Sequence, residues 1–355
     1  MKKGKIRAIL ALILMLMMVA GCGQDPASVD EQEDVPEVEQ MVEAEPALSV
    51  VASFYPYYDV MSKIGGERVL VFQMIPDGAD PHSFEPSPRD LIQLEEAQVF
   101  LFNGLEMEHW LERVLSLLEG SETVLVKAGD LVEILPYTEH EHGHDDHDHD
   151  HHDHNHHDHN HHDHDDHDDH DHDDHDHLHG EWDPHIWTDP NNMKVIGEKI
   201  MSIFVDLDPE GEAVYAENFQ VYADRLAELD SQFSELAAEA DTTVLLVSHS
   251  AFGYWANRYG FSEIAVTGIS PHEEPNPGRL AELTELARDY KLEYIFFETL
   301  ANPRTAEVLA HEAGLTPLML YNLEGLTGEQ REAGEDYFSL MTKNLETLRK
   351  ALVND

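Results

Sequence analysis

The sequence predicts an α/β fold of two similar lobes, each built on a mainly parallel sheet, joined by one long rigid helix. Three observations predict it. Short β-branched and aromatic runs alternate with helical patterns, which is how a parallel sheet with crossover helices is written. Between Pro209 and Ala240 large apolar residues recur every three or four positions (Tyr215, Phe219, Tyr222, Leu226, Leu229, Phe233, Leu236), the mark of a single helix. The stretch Pro81-His82-Ser83-Phe84-Glu85-Pro86-Ser87-Pro88-Arg89-Asp90-Leu91 is faintly echoed by Pro271-His272-Glu273-Glu274-Pro275-Asn276-Pro277-Gly278-Arg279-Leu280. Each copy follows a strand and opens a helix. Two such lobes place a ligand in the cleft between them, at the C-terminal ends of the strands.

The chain opens on MKKGKIR, which is basic, and then on AILALILMLMMVA, an apolar run of signal-peptide length and too short to span a bilayer comfortably. Val19-Ala20-Gly21-Cys22 resembles a bacterial lipobox, so residues 1–22 read as a lipoprotein signal peptide with Cys22 as the lipidated residue. Cys22 is the only cysteine, which rules out an intramolecular disulfide. Residues 23–47 are acidic and poor in aromatics, and read as a disordered tether.

Residues 48–208 make the first lobe. LSVVASFY, RVLVFQMI and AQVFLFNG read as strands, YDVMSKIG and RDLIQLEEA as helices, the second announced by Ser87-Pro88. Residues 138–180, almost all His and Asp, have no hydrophobic period and read as a mobile loop inserted into this lobe. The linking helix, 209–240, would be about 45 Å long at 1.5 Å per residue. Residues 241–355 make the second lobe, with strands at TTVLLVSHS, SEIAVTG, EYIFFET and TPLML. Its helices fall at GRLAELTELARDY, PRTAEVLAHEAG and DYFSLMTKNLETLRKAL.

The 355 residues carry a formal net charge of −52, with 73 acidic against 21 basic side chains. That balance argues against nucleic acid as a partner, because a phosphate backbone needs a basic surface. It favours cations, and the 26 histidines point to transition metals. Six histidines lie outside the run: His82, His109, His185, His249, His272 and His311. His109 and His311 fall in helical patterns among charged residues and read as solvated. His82, His185 and His249 fall at strand ends or in loops, two of them preceded by Asp-Pro, where an α/β sheet gathers its ligands. Three neutral imidazoles suit Zn²⁺ at about 2.0–2.1 Å, with a carboxylate as a natural fourth ligand. There is no HExxH and no Cys pair, so the ligands must converge from distant loops.

Several stretches together carry a resemblance: GADPHSFEPSPRD, NGLEMEHWL, the His-rich insert before DPHIWTDP, SHSAFGYWANRYG, EEPNPGRL and YNLEGLTGEQREAGEDYFSLMTKNL. They cover nearly all of 48–355 and resemble the zinc-binding solute-binding proteins of bacterial metal ABC importers, a cluster that includes manganese-binding relatives. The resemblance implies one buried metal between two lobes. Its ligands fall on His82, His185, His249 and Glu324. Glu298 is the alternative carboxylate, more naturally a residue beside the ligands, and His272 lies at the pocket edge. It implies a receptor and not an enzyme: Zn²⁺ is the transported ligand, and the partners are an ABC permease with its ATPase subunit. The protein would sit outside the cytoplasm, lipid-anchored to the outer face of the cell membrane.

Two alternatives remain open in the sequence. One is a manganese receptor of the same fold. The other is a surface metal store or adhesin acting through the His-rich run. The run ends just before His185, which suggests that it binds additional zinc ions and supplies or protects the main site. A flexible tract must order itself around each ion, which lowers affinity per site.

Overall fold

The computed structural model describes residues 45–137, 181–271, 275–300 and 303–353. Cys22 and the signal segment, nearly all of the acidic tether, the His/Asp run and His272 lie outside the described residues.

The first lobe alternates strand and helix: β1 (Leu48–Ala52), α1 (Tyr55–Gly65), β2 (Val69–Gln73), α2 (Pro88–Glu95), β3 (Val99–Phe102), α3 (Leu111–Leu117) and β4 (Val124–Lys127). The sheet order is β2-β1-β3-β4 and every pairing is parallel, with Val50 opposite Val71 and Val99 and Phe100 opposite Leu125. β3 is buried at all four positions, as an inner parallel strand covered on both faces must be. The run LSVVASFY divides: β1 stops at Ala52 and the chain turns into α1, where Pro56 occupies a first-turn site that needs no N–H bond.

Then come α4 (Pro190–Leu207), α5 (Glu212–Glu239), β5 (Val244–His249), α6 (Gly253–Tyr259), β6 (Ser262–Thr267), α7 (Pro277–Asp289), β7 (Tyr294–Phe297), α8 (Pro303–Ala313), β8 (Thr316–Met319), α9 (Gly328–Glu332) and α10 (Tyr337–Leu352). The second sheet has order β6-β5-β7-β8, again wholly parallel. It repeats the strand order of the first sheet, so the faint sequence echo reflects a repeated architecture.

α5 follows a single 3-10 turn at Pro209–Gly211 and is about 42 Å long at 1.5 Å per residue. Its buried stripe, Tyr215, Tyr222, Leu226, Leu229, Phe233 and Leu236, has the helical period. It packs on α1, α4 and α10, so elements of both halves of the chain lie against it. At its start Asp208 takes a bidentate pair from Arg68, at 2.8 and 2.9 Å, and a 2.6 Å bond from the Tyr215 hydroxyl. One apolar cluster runs through both lobes, from Val50 and Phe54 through Trp187, Phe233 and Trp255 to Leu326 and Tyr337. A second, with Leu246, Ile264, Leu283, Ile295 and Leu309, fills one face of the second sheet beneath α7 and α8. An apolar core continuous between lobes restrains their relative motion.

His109 lies in a turn rather than a helix. The Glu108 carboxylate accepts the backbone N–H of Asn103 at 2.8 Å and of Gly104 at 3.0 Å. That folds the chain back through positive-φ positions at Gly104, Leu105 and Glu106 and delays α3 to Leu111.

Candidate metal centre

Four loops converge at the carboxyl ends of the strands, and each is closed by a helix start. The loop after β2 carries His82 and ends at Ser87, which forms a capping box with Asp90 ahead of Pro88. The segment before α4 carries His185 and ends at Asp189, which caps α4 ahead of Pro190. His249 is the last residue of β5 and is followed by α6. Glu324 lies between β8 and α9, whose first turn is closed by a capping box of Thr327 and Gln330.

The side chains of His82, His185, His249 and Glu324 meet, their candidate ligand atoms all within 4.8 Å of one another. Nε2 of each histidine faces the same oxygen, Glu324 Oε1, at 3.3 Å from His82, 3.4 Å from His185 and 3.5 Å from His249. A tetrahedron with arms of about 2.0–2.1 Å has edges of about 3.3 Å, so these separations are those of ligands around one zinc-sized ion. Nε2 of both His185 and His249 is buried without a hydrogen-bond partner, which is costly unless a cation serves it.

The other ring nitrogens are held from behind. Asp183 Oδ1 accepts from both the backbone N–H of His185, at 2.9 Å, and its Nδ1, at 2.8 Å. Glu298 Oε2 lies 2.5 Å from His249 Nδ1, as an ion pair rather than an aligned hydrogen bond. Glu298 is itself fixed, accepting from the Ser248 hydroxyl and the Asn322 amide, both at 2.7 Å. Asn322 continues the chain: its Oδ1 accepts the Glu324 N–H at 3.3 Å and its carbonyl accepts the Trp187 indole at 2.8 Å. Carboxylates behind metal-binding imidazoles fix the tautomer that leaves Nε2 free for an ion. Glu298 therefore stands beside the cluster, on the far side of a histidine.

Charge dominates the site. Burial disfavours a protonated His185, but Asp183 and Glu324 outweigh it and push its pKa up to about 9. His249 is raised well above the usual histidine value, with Glu298 and Glu324 overcoming burial. Burial would raise Glu324, yet the three histidines hold it well below the usual carboxylate range. Without a metal, the rings of His185 and His249 hold their protons beside the Glu324 carboxylate, and a cation enters by displacing them.

The structure brings His82, His185, His249 and Glu324 together and sets Glu298 against His249. His109 and His311 are exposed, facing Glu85 and Glu312 respectively. Sequence reasoning did not single out Asp183, Asn322 or Trp187. Asp183 had a signal, since Asp-Pro-His precedes the ring it supports just as Asp80-Pro81 precedes His82. Asn322 and Trp187 had none, because their bond crosses between lobes.

A family model described as "Zinc-uptake complex component A periplasmic", ZnuA, matches residues 50–351. The zinc-binding lipoprotein AdcA of Streptococcus pneumoniae is 31% identical over 309 residues, 87% of this chain and 56% of that protein, so the chain spans about half the length of that relative. The high-affinity zinc uptake system protein ZnuA of Bacillus subtilis is 30% identical over 339 residues, 95% of this chain and 94% of that one. Among solved structures, the Zn(II)-bound ZnuA-like domain of Streptococcus pneumoniae AdcA superposes with a TM-score of 0.68 at 29% identity, covering 86% of this chain and 99% of the domain.

Proposed function

The chain belongs to the ZnuA family of zinc-uptake complex components, and from that premise we propose that it is an extracytoplasmic receptor that captures Zn²⁺ for an ABC permease and its ATPase subunit. The ion is cargo, bound by His82, His185, His249 and Glu324. The observation that carries the reading is the approach of three imidazole Nε2 atoms to one buried carboxylate oxygen at 3.3–3.5 Å. Three nitrogens and one carboxylate favour zinc over manganese, which prefers oxygen ligands. A zinc hydrolase needs a coordination position left to water. Glu324 takes that position here.

The rest of the chain is assigned by the same reading. Residues 1–22 target the protein and Cys22 anchors it by lipid to the outer face of the membrane, with 23–47 as tether. Among the described residues no helix is long and apolar enough to cross a membrane. The first lobe spans 48–208, the linking helix 209–240 and the second lobe 241–355. The His/Asp run at 138–180 binds further zinc ions close to His185, as an accessory to the cleft and not as a store in its own right.

The test is native mass spectrometry of the chain with 139–180 replaced by a short Gly/Ser linker, offered zinc and manganese together. One retained zinc, lost on His249→Ala, is the expected result. No retained metal would return the function to the run, and one manganese would overturn the choice of ion.

A further inference from the structure

The loop that carries Glu324 runs on into α9, and α9 sends Arg331 across to the first lobe. Arg331 Nε donates to Asp77 Oδ2 at 2.6 Å, and its Nη2 donates to Asp77 Oδ1 at 2.7 Å and to Gln73 Oε1 at 2.9 Å. The guanidinium carbon lies 4.9 Å from the ring centroid of Tyr58 and 5.6 Å from that of Tyr55, on α1. The backbone makes the same crossing: the Gly78 N–H donates to the Leu326 carbonyl at 2.8 Å. Gly78 has φ +79°, a left-handed conformation that glycine adopts without strain. Asp77 and Gly78 belong to the loop of His82, and Leu326 follows Glu324. Two of the four loops, one from each lobe, are thus tied to one another.

The tie engages the loop of the least enclosed of the four residues. The His82 side chain keeps 10% of its surface exposed, against 0–2% for the other three. Arg331 and Asp77 are partly solvated, at 35% and 24%, so water and salt compete for them. A planar fork on a carboxylate, backed by aromatic rings, holds its geometry better than a simple charge pair does.

We propose that Arg331 is a positioning residue for the bound ion. Its clasp on Asp77 holds the His82 loop against the Glu324 loop and so sets how long zinc is retained. The proposal rests on the four-residue cluster being the zinc site.

The experiment follows zinc release into excess chelator by stopped flow, using the full chain, Arg331→Gln, Asp77→Asn and Arg331→Lys, the first two also with His82→Ala. Arg331→Gln and Asp77→Asn are expected to release zinc about tenfold faster, within the range of coupled neighbours, with association unchanged. Arg331→Lys recovers only part, since it keeps the charge and loses the fork. With His82→Ala in place, Arg331→Gln adds little. Release at the parent rate in both clasp variants overturns the proposal. So does an Arg331→Gln effect that persists in full beside His82→Ala, because the clasp would then act through the fold at large. If Arg331→Gln fails to fold, Asp77→Asn breaks the same clasp from the first lobe and decides the matter. A parent chain that retains no zinc overturns the site itself, whereas a zinc-loaded parent with indifferent variants overturns the clasp alone.

Discussion

Two loops of the first lobe carry the same tripeptide and end in different circumstances. Asp80-Pro81-His82 and Asp183-Pro184-His185 each fold so that the aspartate Oδ1 accepts the histidine N–H, at 2.8 and 2.9 Å. There the likeness stops. The turn of His185 is gripped on every side: Asn103 donates to the Pro184 carbonyl at 3.0 Å, Tyr254 to that of Asp183 at 3.0 Å, Trp255 to that of Thr188 at 2.7 Å and Tyr337 to that of Trp187 at 2.9 Å. Three of those four donors come from the second lobe. The ring of His185 is wholly buried, while that of His82 borders solvent. The tripeptide makes the local turn, and the tertiary setting decides whether the turn is a fixed wall of the site or an adjustable one. The proposed receptor, which must hold an ion and later give it up, has use for one of each.

Substitution should separate the two. His185→Ala is expected to lower zinc affinity more than about 100-fold, beyond the range typical of residues behind a ligand. His82→Ala should cost markedly less. Chelator competition measures both, and equal losses would dissolve the distinction. Asp183→Asn should cost about 10–100-fold, since it weakens the partner of His185 Nδ1. Gly253→Ala approaches the same wall from behind. A Cβ there would sit 2.4 Å from Asp183 Oδ2. Crowding of this kind costs about 1–3 kcal/mol, readable by urea unfolding, with a several-fold loss of zinc affinity. An alanine variant that binds zinc like its parent would show that Asp183 has room to yield.

What the sequence disclosed follows the same divide between local and distant. The Asp-Pro-His stretches, the Ser-Pro helix start and the stripe of α5 are local patterns, and all were legible, whereas the Asp-Pro start of α4 was passed over. The three histidines that the structure brings together stood out by their strand-end and loop contexts, two of them behind Asp-Pro. Glu324 was reached only through resemblance, since nothing local distinguishes NLEGLT from other loops. α4 went unclaimed, although Met193, Ile196, Ile200, Ile203 and Phe204 form a buried stripe. Its Gly197 interrupts helical preference, and the reason is tertiary: a Cβ there would lie 3.3 Å from Ile64 of α1. The edge strand β4 has only four residues, three of them partly or fully exposed, too little pattern to declare itself. Asn322 and Trp187 meet across the lobes, and no local rule pairs them.

The smallest expected effect tests the electrostatic side of the comparison. In the metal-free chain His185 keeps its proton up to about pH 9, because Asp183 and Glu324 outweigh the penalty of burial. A histidine raised in the folded state stabilises it fully below the unfolded value of about 6.5 and loses that contribution as pH rises through the folded value. The thermal midpoint of the metal-free chain should therefore decline between about pH 6.5 and 9. The zinc-loaded chain should stay level over that interval, since metal-bound rings are already neutral. The same protons oppose zinc, so apparent affinity should climb with pH, and calorimetry near pH 7 in buffers of different ionisation enthalpy should register their release. His185→Ala should remove its own share of the metal-free slope and leave that of His249, which is raised in the same direction. A metal-free midpoint that holds steady across the interval would mean that the carboxylates around His185 bind its proton no better than water does. Enclosure alone would then separate the two loops, and the fixed wall would owe its fixity to packing rather than charge.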